Sequence, residues 1–516
     1  MDRRAFLGRA RRPRATPPAL RHATAPASLA PYAGPWTARE ATHLIRRTHV
    51  GAARADVVAA LVRGSAPAAA AALVDDAKAR PLPDTPSWAG RVTTDGATNT
   101  TRLYQWQRAW YAEMVEGGLR EKMLLFWHDH FATGHPVYYH AAYAVDYLSF
   151  LRAGALGPLR PLVEGIGKRP AMLVFLDNDT NRVGQINENY GRELLELFTM
   201  GQVGPDGRDN YAQADVRAAA RALTGWVENA AQVRCDFDAS RYDGGVTELL
   251  GVPVASLGTG AGAYGYDEVV EVIFQHRAEA VAHFLAGKLY AWFVHPVPNA
   301  GVVAALAEQL RSTGFDVGAA VEALLASAHF YDAAVVGARI KTPVELVLGL
   351  ARELEIPASQ SVLERTRTTT ALLGQEVLNP PSVEGWAGYD DPLEYRSWIT
   401  TGTIPERRGV ADDMLYGGDG FAPFDPLPLV ERLSDVSDPY RIAADLAAHL
   451  LAPPLSAAAT DALATQTLLD GVPESYERRE RKSFWIEIAL TSEASARDRL
   501  RALLSHLVNL PEYQLV

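Results

Sequence analysis

The sequence predicts a mostly α, large multi-helix globular fold with a small β insertion near 227–262. Three observations carry this reading. Apolar residues recur at three- and four-residue steps along most of the 516 residues, the period of a helix with one buried face. Helical stretches do not alternate with strand-like ones, which argues against a doubly wound α/β sheet. Strand-like composition is concentrated in 227–262, where Val233, Phe237 and Val246 flank Gly244-Gly245.

Taken in order, Thr37 predicts an N-cap for a helix through Ala41–Arg47. Residues 54–77 read as Ala-rich helices, and 83–100 as a Pro-, Thr-, Asp- and Gly-rich loop. Leu103, Trp106, Trp110, Met114, Leu119, Met123, Phe126 and Trp127 mark long helical material over 101–128. Further helices are expected near 139–153, 158–167, 187–200 and 212–224, with Gly201 stopping the third. After the insertion, helices resume at 266–275, 277–294, 300–312, 316–328 and 343–355. Asn379-Pro380-Pro381 and Gly385-Trp386 mark a rigid loop. The Gly- and Asp-rich stretch 405–424 reads as another long loop, and about 426–510 as helical again. The expected organisation is a basic tail over 1–36 and a single large helical body over 37–516, with points of subdivision near 227–265 and 405–424.

Composition bounds the function. A hydrophobic share of 48% with 22% charged residues suits a folded domain. The net charge of -11 argues against general nucleic-acid binding. One cysteine, Cys235, excludes an intrachain disulfide and a multi-cysteine metal site. No run of about 18 apolar residues occurs, so no transmembrane segment is expected. The charge is uneven: residues 1–22 hold seven arginines and one acid. The start Asp2-Arg3-Arg4-Ala5-Phe6-Leu7 resembles a bacterial twin-arginine export motif. Arginines 9, 11, 12 and 14 stand where an export signal carries an apolar stretch. Two addresses stay open: periplasmic or exported through this leader, or cytoplasmic with a leader that does not function.

Two blocks concentrate chemistry. In Phe126-Trp127-His128-Asp129-His130-Phe131, two imidazoles two residues apart can share one metal if the backbone is extended, because side chains then lie on one face. On a continuing helix they point about 200° apart. The second block runs from Asn187 to Phe198. Asn187 suits an N-cap, Glu188, Arg192 and Glu196 step by four as an ion-pair ladder, and Asn189 and Glu193 share another face. The functional reading makes His128, His130 and Glu193 ligands of a divalent metal ion. Glu193 then doubles as general base, Arg192 or Arg221 holds an anionic substrate, and Asn189 is a polar anchor. The structural reading makes the same residues helix ends and solvated ion pairs. Asp177, Asp179 and Asn181 mimic calcium-loop spacing, but Arg182 stands where such a loop needs glycine, so a turn is expected. There is no P-loop, no G-x-S-x-G elbow and no H-E-x-x-H.

Read in order, the motifs resemble a bacterial family known as domain of unknown function 1800. The resemblance is carried by His43-Leu44-Ile45-Arg46-Arg47, the His128 block, Arg169-Pro170-Ala171-Met172, Leu176-Asp177-Asn178 and the Asn187 block. Ala220–Trp226, Lys341-Thr342-Pro343-Val344-Glu345-Leu346 and Asn379–Trp386 follow. It runs from about residue 38 to the C-terminus. It implies a mostly helical protein, often with a twin-arginine-like leader, and a partner from a neighbouring exported family similar to phosphatases and sulfatases. It implies no reaction. Relatives tend to carry a His-Asp pair and then a Lys after the Thr-Gly-Trp step, whereas this chain has Tyr242-Asp243-Gly244-Gly245. Two functions stay open: an exported metal-assisted enzyme, or a non-catalytic partner or scaffold of the phosphatase- or sulfatase-like protein.

Overall fold

The computed structural model describes residues 28–253, 265–390, 394–418, 421–473 and 475–516. The arginine-rich leader and the far end of the insertion lie outside the described residues. What is described is mostly helical, and its sheets are two antiparallel pairs of short strands. In the first, β1 (Trp226–Asn229) pairs with β2 (Arg234–Phe237), with Trp226 opposite Phe237. In the second, β3 (Glu248–Leu249) pairs with β4 (Val252–Pro253). Among the described residues no single helix is long and apolar enough to cross a membrane.

Helix starts follow their caps. Helix α1 (Ala38–Thr48) opens on Thr37, whose hydroxyl accepts from Arg39 N–H at 3.3 Å while its own N–H donates to the Glu40 carboxylate at 3.1 Å. The long stretch expected over 101–128 is two helices, α2 (Gly96–Glu116) and α3 (Gly118–His130), broken at Gly117. Asp95 caps α2 by accepting from Thr98 N–H at 2.9 Å, so the loop expected to reach 100 ends earlier.

Two expectations are corrected. The stretch 405–424 is not one long loop, because Thr403–Tyr416 is helical. Its buried residues Arg407, Val410, Ala411, Met414 and Leu415 keep a helical period that the intervening Gly and Asp residues disguise. The helix expected over 187–200 spans only Asn189–Glu196. It ends because Leu197 and Phe198 both donate to the Glu193 carbonyl at 2.9 Å, and the Thr199 hydroxyl takes the Leu194 carbonyl at 2.6 Å. Gly201 lies beyond that end.

The apolar interior forms two clusters. The larger runs from Ala41 to Trp398 and holds the aromatic residues of α2 and α3. The smaller is built from 346–513. One helix, α10 (Pro343–Glu353, counting α4 Ala141–Gly154, α5 Pro170–Phe175, α6 Asn189–Glu196, α7 Gln213–Ala222, α8 Tyr266–His276 and α9 Ala278–Phe293 before it), belongs to both. Val344 and Leu348 face the larger cluster, Leu346, Val347 and Leu350 the smaller, and all of its residues are buried. A helix covered on every side must also house its charges inside, and Glu345, Arg352 and Glu353 are such charges.

Candidate functional site

The last turn of α3 carries the His128 block. Because the helix continues through His130, the two imidazoles leave on different sides. His128 is fully buried between Trp110, Trp386 and Tyr147, with ring centroids 5.4–5.6 Å away. Its Nε2 accepts from the Leu378 backbone N–H at 2.9 Å, which assigns the proton to Nδ1. Nδ1 then donates to the Tyr147 hydroxyl at 3.0 Å, and that hydroxyl donates to the Phe131 carbonyl at 2.8 Å. The chain of bonds is closed and uses both ring nitrogens. Burial pushes the His128 pKa down to about 3, so the ring is neutral at pH 7.

His130 turns toward Phe198 and Phe284 and stacks parallel to Phe126. Its Nε2 lies 3.2 Å from the Phe198 carbonyl oxygen, while Nδ1 is buried with no hydrogen-bond partner. Burial, reinforced by the Lys288 charge, holds its pKa well below the ordinary histidine value. Between the imidazoles, Asp129 accepts from the Trp386 backbone N–H at 2.8 Å. This contact explains Gly385: it sits at φ +86°, and a Cβ there would come within 2.3 Å of the Asp129 carboxylate. The Asn379–Trp386 loop is thus clamped to the end of α3.

The second block reaches the first through backbone. The Glu193 carbonyl anchors Phe198 N–H, and the Phe198 carbonyl meets His130. So the structure brings His130 to the segment after Glu193 and sends His128 to the opposite side of its helix. Among the described residues no three His, Cys, Asp or Glu side chains are grouped to hold a metal ion. The shared metal centre of His128, His130 and Glu193 needed an extended backbone at 128–130, and the helix removes that condition.

The remaining polar motif residues hold loops in place. Glu188, not the expected Asn187, is the N-cap of α6, and Asn187 stands one residue before it, accepting from Asn189 N–H at 3.0 Å. Asn181 donates to the Ala220 carbonyl at 2.8 Å and accepts from Asn187 N–H at 2.9 Å. Asn187 in turn donates to the Asp177 carbonyl, and Asp177 sits at φ +54°. Arg192 bonds Glu188 at 3.0 Å and Gln213 at 3.2 Å, and Arg217 lies 3.4 Å from Glu188, an exposed ladder between α6 and α7. Arg221 forks onto Asp243 at 2.9 and 3.0 Å, so both arginines assigned to an anionic substrate already have internal partners.

Sequence reasoning passed over a second buried polar region. Along α10, Lys122 pairs with Glu345, and Lys341 lies 3.3 Å from Glu353. Arg46 lies 3.7 Å from Glu353, which also accepts from the Tyr513 hydroxyl at 2.9 Å. Arg352 bonds Asp56 at 2.6 Å and the Gly51 carbonyl at 2.8 Å. Arg47, Arg339 and Arg407 add further buried guanidinium groups. Burial alone would raise Glu345, but Lys122 and Arg339 outweigh it and hold its carboxyl at about 2. Burial lowers Lys341 to about 8 against the opposing pull of Glu353. The signal was present in sequence as charges set inside apolar helices: Arg46-Arg47, Lys122, Glu345 and Glu353.

Comparison with known proteins adds one finding. Residues 43–515 match the model of a family described as "Protein of unknown function (DUF1800)". No curated protein and no solved structure matches the chain.

Proposed function

We propose, on the premise that the chain belongs to the DUF1800 family and that this family brings no reaction with it, that the protein works as a non-catalytic partner or scaffold. One observation carries the reading: His128, the most deeply buried histidine of the motifs, spends both ring nitrogens inside the protein. A ligand or general base needs a lone pair that faces metal or substrate. Asp129, Arg192 and Arg221 likewise bond to neighbouring protein groups. Such residues fix helix ends and loops, and they leave function to the surface that the rigid body presents. The partner to test first is of the exported phosphatase- or sulfatase-like class that the motif resemblance implies. Export of this chain through its Arg3-Arg4 start belongs to the same reading. A reporter fused to residues 1–36 should lose export in an Arg3→Lys/Arg4→Lys version.

The decisive measurement is elemental analysis of the purified full chain after incubation with Zn²⁺, Mn²⁺ or Fe²⁺. The expected result is no stoichiometric metal and no shift in Tm. Stoichiometric metal that is lost in Glu193→Ala or His128→Ala, with helical content retained, would overturn the proposal in favour of metal-assisted catalysis. Co-elution of the chain with the partner in size-exclusion chromatography is the positive arm.

A further inference from the structure

Away from the His128 knot, a half-open cleft of about 470 Å³ lies between the N-terminal helices and the 429–454 region. One wall is α1 with the helix Arg54–Leu61, and the other is the helix Pro439–Leu450 with Leu429 and Leu433. Its volume falls in the range of about 300–1,000 Å³ usual for small-molecule sites.

The lining has two characters. The walls are aliphatic, built from valine, leucine, alanine and proline, and no aromatic residue contributes. Val58, on one wall, is 49% exposed and so reachable by a ligand. The polar part is cationic. Arg39, Arg46 and Arg54 line the N-terminal wall, and the single lining acid, Asp445, is engaged by Arg441 at 3.1 Å. The two lining histidines carry no charge at pH 7: burial lowers both, with Arg47 adding to the effect on His43, while Glu353 pulls His449 only partly back. Among the described residues the Arg39 and Arg54 side chains make no ion pair. Arg46 is 4% exposed, bonds the His449 carbonyl, and has a buried Nε without a hydrogen-bond partner. In a chain of net charge -11, this concentration of cations around an aliphatic cleft is local and specific.

We propose that this cleft binds a single-chain amphiphile with an anionic head, an aliphatic acyl carboxylate or the equivalent alkyl phosphate. The head sits against Arg39, Arg46 and Arg54, and the chain lies along Val57, Val58 and Leu446. Charge selects the anion, because among the described residues Arg39 and Arg54 carry no ion pair, Arg46 adds a cation shared with Glu353, and the one lining carboxylate, Asp445, is already held by Arg441. The walls select an alkyl chain over a peptide. A docked peptide brings backbone amides that need partners and favours aromatic anchors, and beside the two histidines, each already bonded to a backbone carbonyl, the cleft supplies Thr42 and Ser434 as neutral polar side chains. The arginine-rich segment 1–22 is excluded as an occupant by its own charge.

The test uses calorimetric titration of the full chain with octanoate, decanoate, dodecanoate and dodecyl phosphate, each below its micellar concentration, and with dodecanol. The expected result is one site per chain, affinity rising about fourfold per added methylene until the cleft is filled, and dodecanol at least tenfold weaker than dodecanoate. Arg39→Gln/Arg54→Gln changes two side chains outside the internal ion-pair network and should weaken dodecanoate at least tenfold with unchanged circular dichroism. Val58→Glu should do the same. Preference for the carboxylate or for the phosphate tells the two head groups apart, and either supports the proposal. It is overturned if neither anion binds, if dodecanol binds as tightly, or if the arginine variant binds like the parent.

Discussion

The network around His128 and the seam along α10 both bury polar groups in the interior, yet one does so without net charge and the other with an excess of cations. In the knot each donor meets an acceptor in sequence, from Leu378 N–H through the imidazole and the Tyr147 hydroxyl to the Phe131 carbonyl. No charge is desolvated. In the seam, Glu345 and Glu353 gather Lys122, Lys341 and Arg46, while Arg47 and Arg407 still keep guanidinium N–H groups without hydrogen-bond partners. A neutral network can close on itself. A charged one is held by Coulombic attraction and cannot lose a single member cheaply.

Acid separates the two regions most sharply. The His128 pKa is about 3 in the folded chain and about 6.5 in an unfolded one, so the unfolded state binds the proton first. The stability at stake is therefore fully present above pH 6.5 and is lost as pH falls toward 3. For this ring alone the full effect is about 4–5 kcal/mol. Glu345, held at about 2, stays ionised through that window. Tryptophan emission from Trp110 and Trp386, which flank His128, should change between pH 6 and 4. A signal flat to pH 3 would show that the folded chain keeps enough stability to hold the ring neutral throughout that window.

Glu345→Gln comes next. It leaves the Lys122 ammonium buried without its carboxylate, at a cost of about 3–5 kcal/mol in urea unfolding. Lys122→Met/Glu345→Gln should recover most of that loss, because it removes the charge along with its partner. Failure to recover would mean that Glu345 acts mainly through its bond to Thr342 N–H. His128→Ala should cost about 2–4 kcal/mol, combining a cavity with the stranded Leu378 N–H, and should remove much of the acid transition. The smallest effect belongs to the exposed ladder: Glu188→Ala should cost less than about 1 kcal/mol and respond to salt. A larger loss there would point to a role beyond the solvated face.

How much of this was legible in sequence depended on how far apart the interacting residues lie. Thr37 and Glu40 are three apart, and the cap they form was readable. So was the turn over Asp177, Asp179 and Asn181, and so was the place of the sheets, because Gly244-Gly245 and the nearby apolar residues are local signals. The Thr403–Tyr416 helix was hidden by Gly409, Asp412 and Asp413 on its polar side, although its buried stripe was intact. The candidate metal site turned on one local question, whether 128–130 is extended or helical, and the spacing alone does not answer it. The seam's charges were visible inside apolar helices, but their pairing was not readable. Lys122 and Glu345 are 223 positions apart, and nothing near either residue names the other.

One contact described above also sets a timetable. Arg352 donates to the Gly51 carbonyl, and a Cβ on Gly51 would come within 2.6 Å of Gly349 Cα, so two backbones touch where no side chain fits. The two strands of chain that meet there are separated by about 300 residues. At a synthesis rate of about 5–20 residues per second, the ribosome needs roughly 15–60 s to deliver the second after the first. Throughout that interval Arg46 and Arg47 wait without the carboxylates of α10, exposed to any chaperone that reads basic, apolar segments. The contact between the Gly51 segment and α10 therefore closes only after α10 has emerged.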